Sequence, residues 1–284
     1  MKTVHGKRIS IKTTSSKIAL FSLMFIIAVI VFYPIFWAFI NSFKAQLELA
    51  MNPIGFPSQW LLQNYADAWI TANVGQFFVN SVYIAIPTVI IILAASTLAG
   101  FAFAHLEFRG KDFLYLLFIS GLAIPLELII VSLFFQIRDM NLLNTYWSVI
   151  LPQIALILPF GILLMRSFIL DIPKTMIEAA KIDGCSDWKT LWYIVVPCIL
   201  PALSSLLVFS FMWTWNNLFL PTVMLTDSSM RTIPTGLTYF QGQFSTNVAI
   251  LAAAAIIVSL PVIILYIIFQ RQFIEGITVG AMKE

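Results

Sequence analysis

Long apolar runs alternate with short polar segments along this chain, and the lengths of the runs decide its fold class. A helix crossing about 30 Å of hydrocarbon at about 1.5 Å per residue needs roughly 20 mostly apolar residues. Six stretches reach that length: Ile18 to Ile40, Val79 to Ala104, Phe113 to Phe135, Tyr146 to Phe168, Val195 to Leu220 and Val248 to Phe269. None shows the period of two that a membrane barrel strand requires, and backbone groups in lipid must be satisfied within the segment, so each run predicts a helix. Prolines interrupt most of them. Pro87 is expected to kink the second, Pro152 and Pro159 lie in the fourth with Gln153, and Pro197, Pro201 and Pro261 fall in the last two.

Composition agrees. Hydrophobic residues make up 60% of the 284 positions and charged ones 10%, against about 25% charged in a soluble domain. The solvent for such a chain is lipid. Residues 1–17 form a basic tail with Lys2, Lys7, Arg8, Lys12 and Lys17 and no acid, and residues 18–284 read as one transmembrane domain. Counting alternate loops from a cytoplasmic tail puts 13 of the 16 Lys and Arg inside and leaves Lys44, Arg138 and Arg231 outside. Both termini are then expected in the cytoplasm of a bacterial or archaeal cell, with the chain in its cytoplasmic membrane. The first run is longer than the 7–15 apolar residues of a signal peptide, so it reads as an uncleaved anchor.

Other chemistries find little support. The net charge of +3 is spread over several loops and forms no basic stripe, which excludes a nucleic-acid surface. Cys185 and Cys198 make no CxxC pair, and His5 and His105 belong to no HExxH pattern, so neither a metal nor a catalytic centre is expected. No G-x4-G-K-[ST] phosphate loop occurs, and ATP must be handled elsewhere if it is used.

The segment 170–193, between the fourth and fifth runs, is organised. Ile172-Pro173 opens a helix, Ile177 to Ile182 continue it, and Gly184 can end it in a left-handed conformation. Ser186 can cap a second short helix through Leu191. Two readings stand for this cytoplasmic knob: a surface connector, or a docking element that offers Ile177, Ala180 and Trp188 to a soluble partner.

Within it, Glu178-Ala179-Ala180, Gly184, Ile194 and Pro197 resemble the EAA loop, E-A-A-x3-G-x9-I-x-L-P, of permease subunits of binding-protein-dependent ABC importers, with Val196 in place of its leucine. Ser42-Phe43-Lys44, Asn64-Tyr65, Asn80-Ser81, Asn144-Thr145-Tyr146-Trp147 and Trp215-Asn216-Asn217 through Pro221 look like the carbohydrate-importer permeases of the maltose MalG type. So does the tail Gln270-Arg271-Gln272-Phe273 with Gly276, Gly280, Ala281 and Lys283. The resemblance implies an all-α bundle of six spans, the type I or MetI-like permease fold. It implies a second, homologous permease subunit, two ATPase subunits holding ATP and magnesium, an extracellular solute-binding protein and a carbohydrate substrate. This chain would then carry no cofactor and no enzymatic activity. Glu178, Ala179, Ala180, Asp183 and Gly184 would couple it to the ATPase.

The solute path is harder to read. Glu127 is the one acid deep in a span, and such groups face a cavity or a partner because lipid exposure is costly; it could equally serve backbone groups freed at Pro125. Trp213, Trp215, Asn216 and Asn217 offer stacking faces and amides to a sugar, or simply anchor a helix end at the interface. The outer loop from Thr226 to Asn247 is either a plain connector or, as the resemblance implies, a segment that re-enters the bundle or touches the binding protein. Rival functions are a secondary transporter driven by an ion gradient and an importer of a non-sugar solute such as glycerol phosphate.

Overall fold

The computed structural model describes residues 14–243 and 247–281, and the basic residues Lys2, Lys7, Arg8, Lys12 and Lys283 lie outside them. Among the described residues there is no strand. The chain forms helices α1 (Thr14–Asn41), α2 (Val74–His105), α3 (Lys111–Ala123), α4 (Leu126–Asp139) and α5 (Trp147–Leu170). These are followed by α6 (Lys174–Ile182), α7 (Asp187–Cys198), α8 (Leu200–Trp215), α9 (Phe219–Met224), α10 (Ile233–Gln243) and α11 (Val248–Ala281).

Four of these, α1, α2, α5 and α11, are long and apolar enough to cross a membrane, and the number rises to six if each of two bent pairs is one span. Two of the six expected spans are each bent into a pair of helices. The third run folds as α3 and α4 at 105° to each other. Ile124 is extended there (φ −93°, ψ 106°), because the ring of Pro125 disfavours helical angles in the residue before it. The fifth run turns through 78° between α7 and α8 at Ile199, with Pro201 in the first turn of α8. The helix then stops at Trp215 and not at Leu220. By contrast α2 passes Pro87 as one helix.

α2 and α5 form the densest part of the bundle. Both carry buried positions four apart, Thr88, Ile92, Ser96 and Gly100 on one and Gln153, Ile157, Gly161 and Met165 on the other. Rows at that spacing form ridges that interdigitate. Small residues bring the backbones together: a Cβ on Gly100 would lie 2.7 Å from Cβ of Met165, and one on Gly161 would lie 2.9 Å from Cβ of Ser96. Without a hydrophobic force between helices in lipid, such close packing is what holds a pair. α8 lies against α2 and α11, where the Trp215 indole N–H donates to the Val258 carbonyl at 3.2 Å. α1 is exposed from Ile18 to Phe36, with Phe21, Ile30 and Phe32 all more than 60% accessible, and is buried only at its end, at Ile40 and Asn41; its main neighbour is α11.

Candidate functional site

The loop between α5 and α8 is built by local rules. Pro173 sits just before α6 in an extended conformation (φ −54°, ψ 128°), one position earlier than the sequence suggests. At the other end the Cys185 N–H donates to the Ala180 carbonyl at 2.9 Å and the Gly184 N–H donates to the Lys181 carbonyl at 3.1 Å. This is a Schellman closure, and it requires the left-handed φ of +79° found at Gly184. The spacing of Ala180 and Gly184 in the E-A-A-x3-G pattern is the spacing of the two residues that close such a turn. The Ser186 hydroxyl then accepts from the Lys189 N–H at 3.4 Å and caps α7, while Lys181 and Asp187 form an ion pair at 3.3 Å across the turn.

Within the knob the side chains divide by face. Ile177 and Ala180 are 6% and 4% accessible, and Ile177 packs with Ile169, Ile172, Leu191 and Val195. They fasten α6 to the bundle, so of the three side chains that the docking reading offered to a partner only Trp188 is exposed. Glu178, Ala179 and Asp183 are exposed. The exposed apolar surface is instead Ile182 at 86%, Tyr193 at 78% and Trp188 at 60%, with Trp188 set edge-on to Trp192 at 5.7 Å. A hollow of about 500 Å³ opens between α5, the start of α6 and the α7–α8 elbow, lined by Phe168, Asp171, Met176 and Cys198 among others.

At the opposite end, the residues that carried the wider resemblance meet in pairs. The Ser42 and Tyr65 hydroxyls are 2.7 Å apart, and the Asn64 amide donates to the Ser42 and Lys44 carbonyls at 2.8 and 2.9 Å. Lys44 is fully buried and its ammonium donates to the Asn52 carbonyl at 2.7 Å. A second cluster centres on Asn80, also fully buried. Its amide N–H groups donate to the Ser229 and Arg231 carbonyls at 2.8 Å each, and its Oδ1 accepts from the Tyr146 hydroxyl at 2.8 Å and from Gln76 at 3.0 Å. The Ser81 hydroxyl accepts from the Ile233 N–H, and Asn144 Oδ1 accepts from the Asp227 N–H, both at 2.9 Å. The segment 226–233 is thereby latched to α2 and to the start of α5, with its polar tip Thr226 to Ser229 exposed. Sequence reasoning singled out these asparagines by resemblance alone; what marks them physically is an amide wherever loop backbone needs a side-chain partner, Asn64 and Asn80 as donors to carbonyls and Asn144 as acceptor from an N–H.

The suggested path residues have separate surroundings. Trp215 is 2% accessible, its indole bonded to Val258 and stacked on Phe211 at 5.2 Å. The Asn216 amide donates back to the Met212 carbonyl at 2.9 Å, and Asn217 Oδ1 accepts from the Leu220 N–H at 3.1 Å, capping α9. Trp213 is 45% accessible and lies edge-on to Phe160 at 5.1 Å. Glu127 is exposed in the first turn of α4, where the helix dipole favours an acid.

A bundle of apolar helices, an ordered loop with an apolar crest at one end and a latched loop at the other define a polytopic membrane protein. Residues 95–279 match the family of binding-protein-dependent transport system inner membrane components, and the chain belongs to that family. It is 31% identical over 264 residues to the diacetylchitobiose uptake system permease protein NgcG of Streptomyces coelicolor, covering 92% of this chain and 87% of that one. It is 35% identical over 261 residues to the arabinooligosaccharides transport system permease protein AraQ of Halalkalibacterium halodurans, covering 90% and 93%. The fold is similar to a chain of a bacterial ABC transporter involved in import of the acidic polysaccharide alginate, with a TM-score of 0.79 at 21% identity, covering 95% of this chain and all of that one.

Proposed function

We propose that the chain is one of two homologous permease subunits through which a carbohydrate, delivered by an extracellular solute-binding protein, crosses the membrane by alternating access driven by two ATPase subunits. The sugar assignment rests on the names of the relatives, which take up diacetylchitobiose and arabinooligosaccharides. The orientation, with both termini and the α6–α7 knob in the cytoplasm, rests on the basic residues: Arg109, Lys111, Lys174, Lys181 and Lys189 lie at the knob's end of the bundle.

The observation that carries the coupling role is the crest of Ile182, Trp188 and Tyr193 beyond a rigid Schellman turn. A chain of this kind has no reason to hold three large apolar side chains in water unless something covers them. The crest and the hollow give a soluble subunit a projection to grip and a recess to fill. Glu178, Ala179, Ala180, Asp183 and Gly184 set the shape of that projection, with Ala180 and Gly184 closing the turn and Glu178 and Asp183 exposed to a partner's polar groups. Because Ile177 and Leu191 root the knob in the bundle core, closure of the ATPase pair pulls α5 and α8 as rigid bodies.

The test is copurification from mild detergent through a C-terminal tag. Recovery of a second permease and an ATPase with the native chain, and loss of the ATPase alone from Ile182→Glu, is the expected result. Ile182 touches little in this chain, so the variant folds. Full retention of the ATPase by Ile182→Glu would reject the crest as its seat, and a chain purified alone would reject the importer assembly.

A further inference from the structure

The middle of the bundle holds a buried amide that the packing does not explain. Gln153 lies on α5, in the apolar interior of a membrane-spanning helix, and is 1% accessible. Neither its Oε1 nor its Nε2 has a hydrogen-bond partner in the chain. At 1% accessibility a neighbouring subunit cannot reach it either. Leaving an amide bare in such a place is costly, because the hydrogen bonds it made to water in the unfolded chain are not replaced.

The helix registers show what else stands at that level. α2 and α5 run parallel, and their known contacts pair Asn80 with Tyr146, Ser96 with Gly161 and Gly100 with Met165, each partner 65 or 66 positions further along. The same offset sets Thr88 beside Gln153. α8 runs antiparallel to α5. Gly161 meets Leu206, and Phe160 lies edge-on to Phe209 at 5.8 Å. Eight residues back from Gly161 is Gln153, and eight on from Leu206 is Thr214.

Both threonines are buried, at 0% and 6% accessibility. The Thr214 hydroxyl has no partner in the chain, and the Thr88 hydroxyl donates to the Ile84 carbonyl at 2.7 Å, which leaves its lone pairs free to accept. Proline adds acceptors one turn away. Pro87 and Pro152 have no N–H, so the carbonyls of Tyr83 and Ser148 lose their helical donors.

We infer that Thr88, Gln153 and Thr214 form an internal water site that bridges α2, α5 and α8 within the membrane. Water is the ligand whose chemistry fits. The set is neutral, contains no carboxylate for a metal, and combines donors and acceptors on three helices, while a buried water typically makes about three hydrogen bonds. Water bridges can be remade after a small shift of one helix, where direct side-chain pairs break. The site would therefore let α8 slide on α2 and α5 while staying hydrogen-bonded; this use rests on the transport cycle proposed above, whereas the water site does not.

The test uses the whole transporter in lipid nanodiscs. X-ray hydroxyl-radical labelling with mass spectrometry modifies side chains beside bound internal water that bulk solvent does not reach. Labelling of the peptide containing Pro152 and Gln153 is expected in the native complex and is expected to fall at least about threefold in Gln153→Leu, which fills most of the space without the amide and does not bring in a radical-reactive sulfur. Gln153→Leu and Thr214→Val should each lower the melting temperature, and the double variant by less than the combined effect of the two, because both remove one shared bridge. Absence of labelling in the native complex, a raised melting temperature in Gln153→Leu, or strictly additive effects would each overturn the water site. Slower ATP-driven uptake by Gln153→Leu is expected of a sliding layer, and unchanged uptake with labelling lost would overturn the sliding role alone. Absence of ATP-driven uptake by the native complex would instead reject the transport reading and leave the labelling result standing.

Discussion

The Tyr146 hydroxyl donates to Asn80 Oδ1 at 2.8 Å and ties the entry to α5 to the second turn of α2, across 66 positions of sequence. Tyr146→Phe removes one donor and leaves Gln76 on the same oxygen, so the expected loss is about 1 kcal/mol. Asn80→Ala is worse, because the carbonyls of Ser229 and Arg231 lose their donor as well. It should cost about 2–4 kcal/mol, with more than one buried group left unpaired. Thermal unfolding of the purified complex checks the order. Limited proteolysis should show the 226–231 segment cut in Asn80→Ala and intact in Tyr146→Phe.

The same latch carries a pH dependence. The Ser229 N–H, donating to Asp227 Oδ1 at 2.8 Å, and the Ser229 hydroxyl hold the Asp227 carboxyl below its ordinary value of 3.8. A depressed folded value means that ionisation favours the folded turn. The contribution is therefore present above the ordinary value and lost as pH falls through the depressed one. A spin label on Thr226→Cys should stay restricted at neutral and mildly acid pH and loosen only in the acid range below 3.8. Loosening near neutrality would show that another group controls the turn.

Run length was enough to read the helical class, because it depends on composition summed over about 20 residues. The bends at Ile124 and Ile199 were not legible. Pro125 and Pro201 announce a break, but whether a helix kinks, as Pro87 was expected to make it do, or turns through 105° depends on what packs against either side. At the knob, Gly184 was readable since a left-handed turn is a local demand of the backbone. The face of α6 was not. Ile177 and Ile182 look alike in sequence, and only the packing of Ile169, Leu191 and Val195 buries the first and leaves the second in water. Trp215 was set beside Trp213 as a possible sugar contact for the same reason: neighbours on a helix point to different faces, and one of them is filled by Phe211 and Val258.

Gly184 separates a backbone effect from a steric one. A Cβ there meets nothing within 4 Å, so any penalty comes from the positive φ. Gly184→Asn should be tolerated best, Gly184→Ala should cost about 1 kcal/mol, and Gly184→Val more, as side chains with branched Cβ fit the left-handed region worst. ATPase copurification and uptake should decline in that order. Equal activity across the series would mean that the turn can be made in another conformation.

Gly161 tests the opposite case, a clash without backbone strain. Its added Cβ would press on the Ser96 hydroxyl and stand 2.9 Å from the Ser96 Cβ, both on the facing ridge of α2. The Leu206 methyl lies at 3.4 Å on the other side, so the new methyl has little room to shift towards α8. Gly161→Ala should therefore force α2 and α5 apart and cost about 1–3 kcal/mol, the usual penalty of overpacking. Ser96→Gly removes both offending atoms, whereas Ser96→Ala keeps the Cβ that stands too close. Stability should return in the Gly161→Ala, Ser96→Gly pair and stay low in the Gly161→Ala, Ser96→Ala pair, measured as the melting temperature of the complex. Equal rescue by both would place the clash at the hydroxyl alone, and rescue by neither would mean that the α2–α5 contact is looser than the packing of Gly100 on Met165 requires.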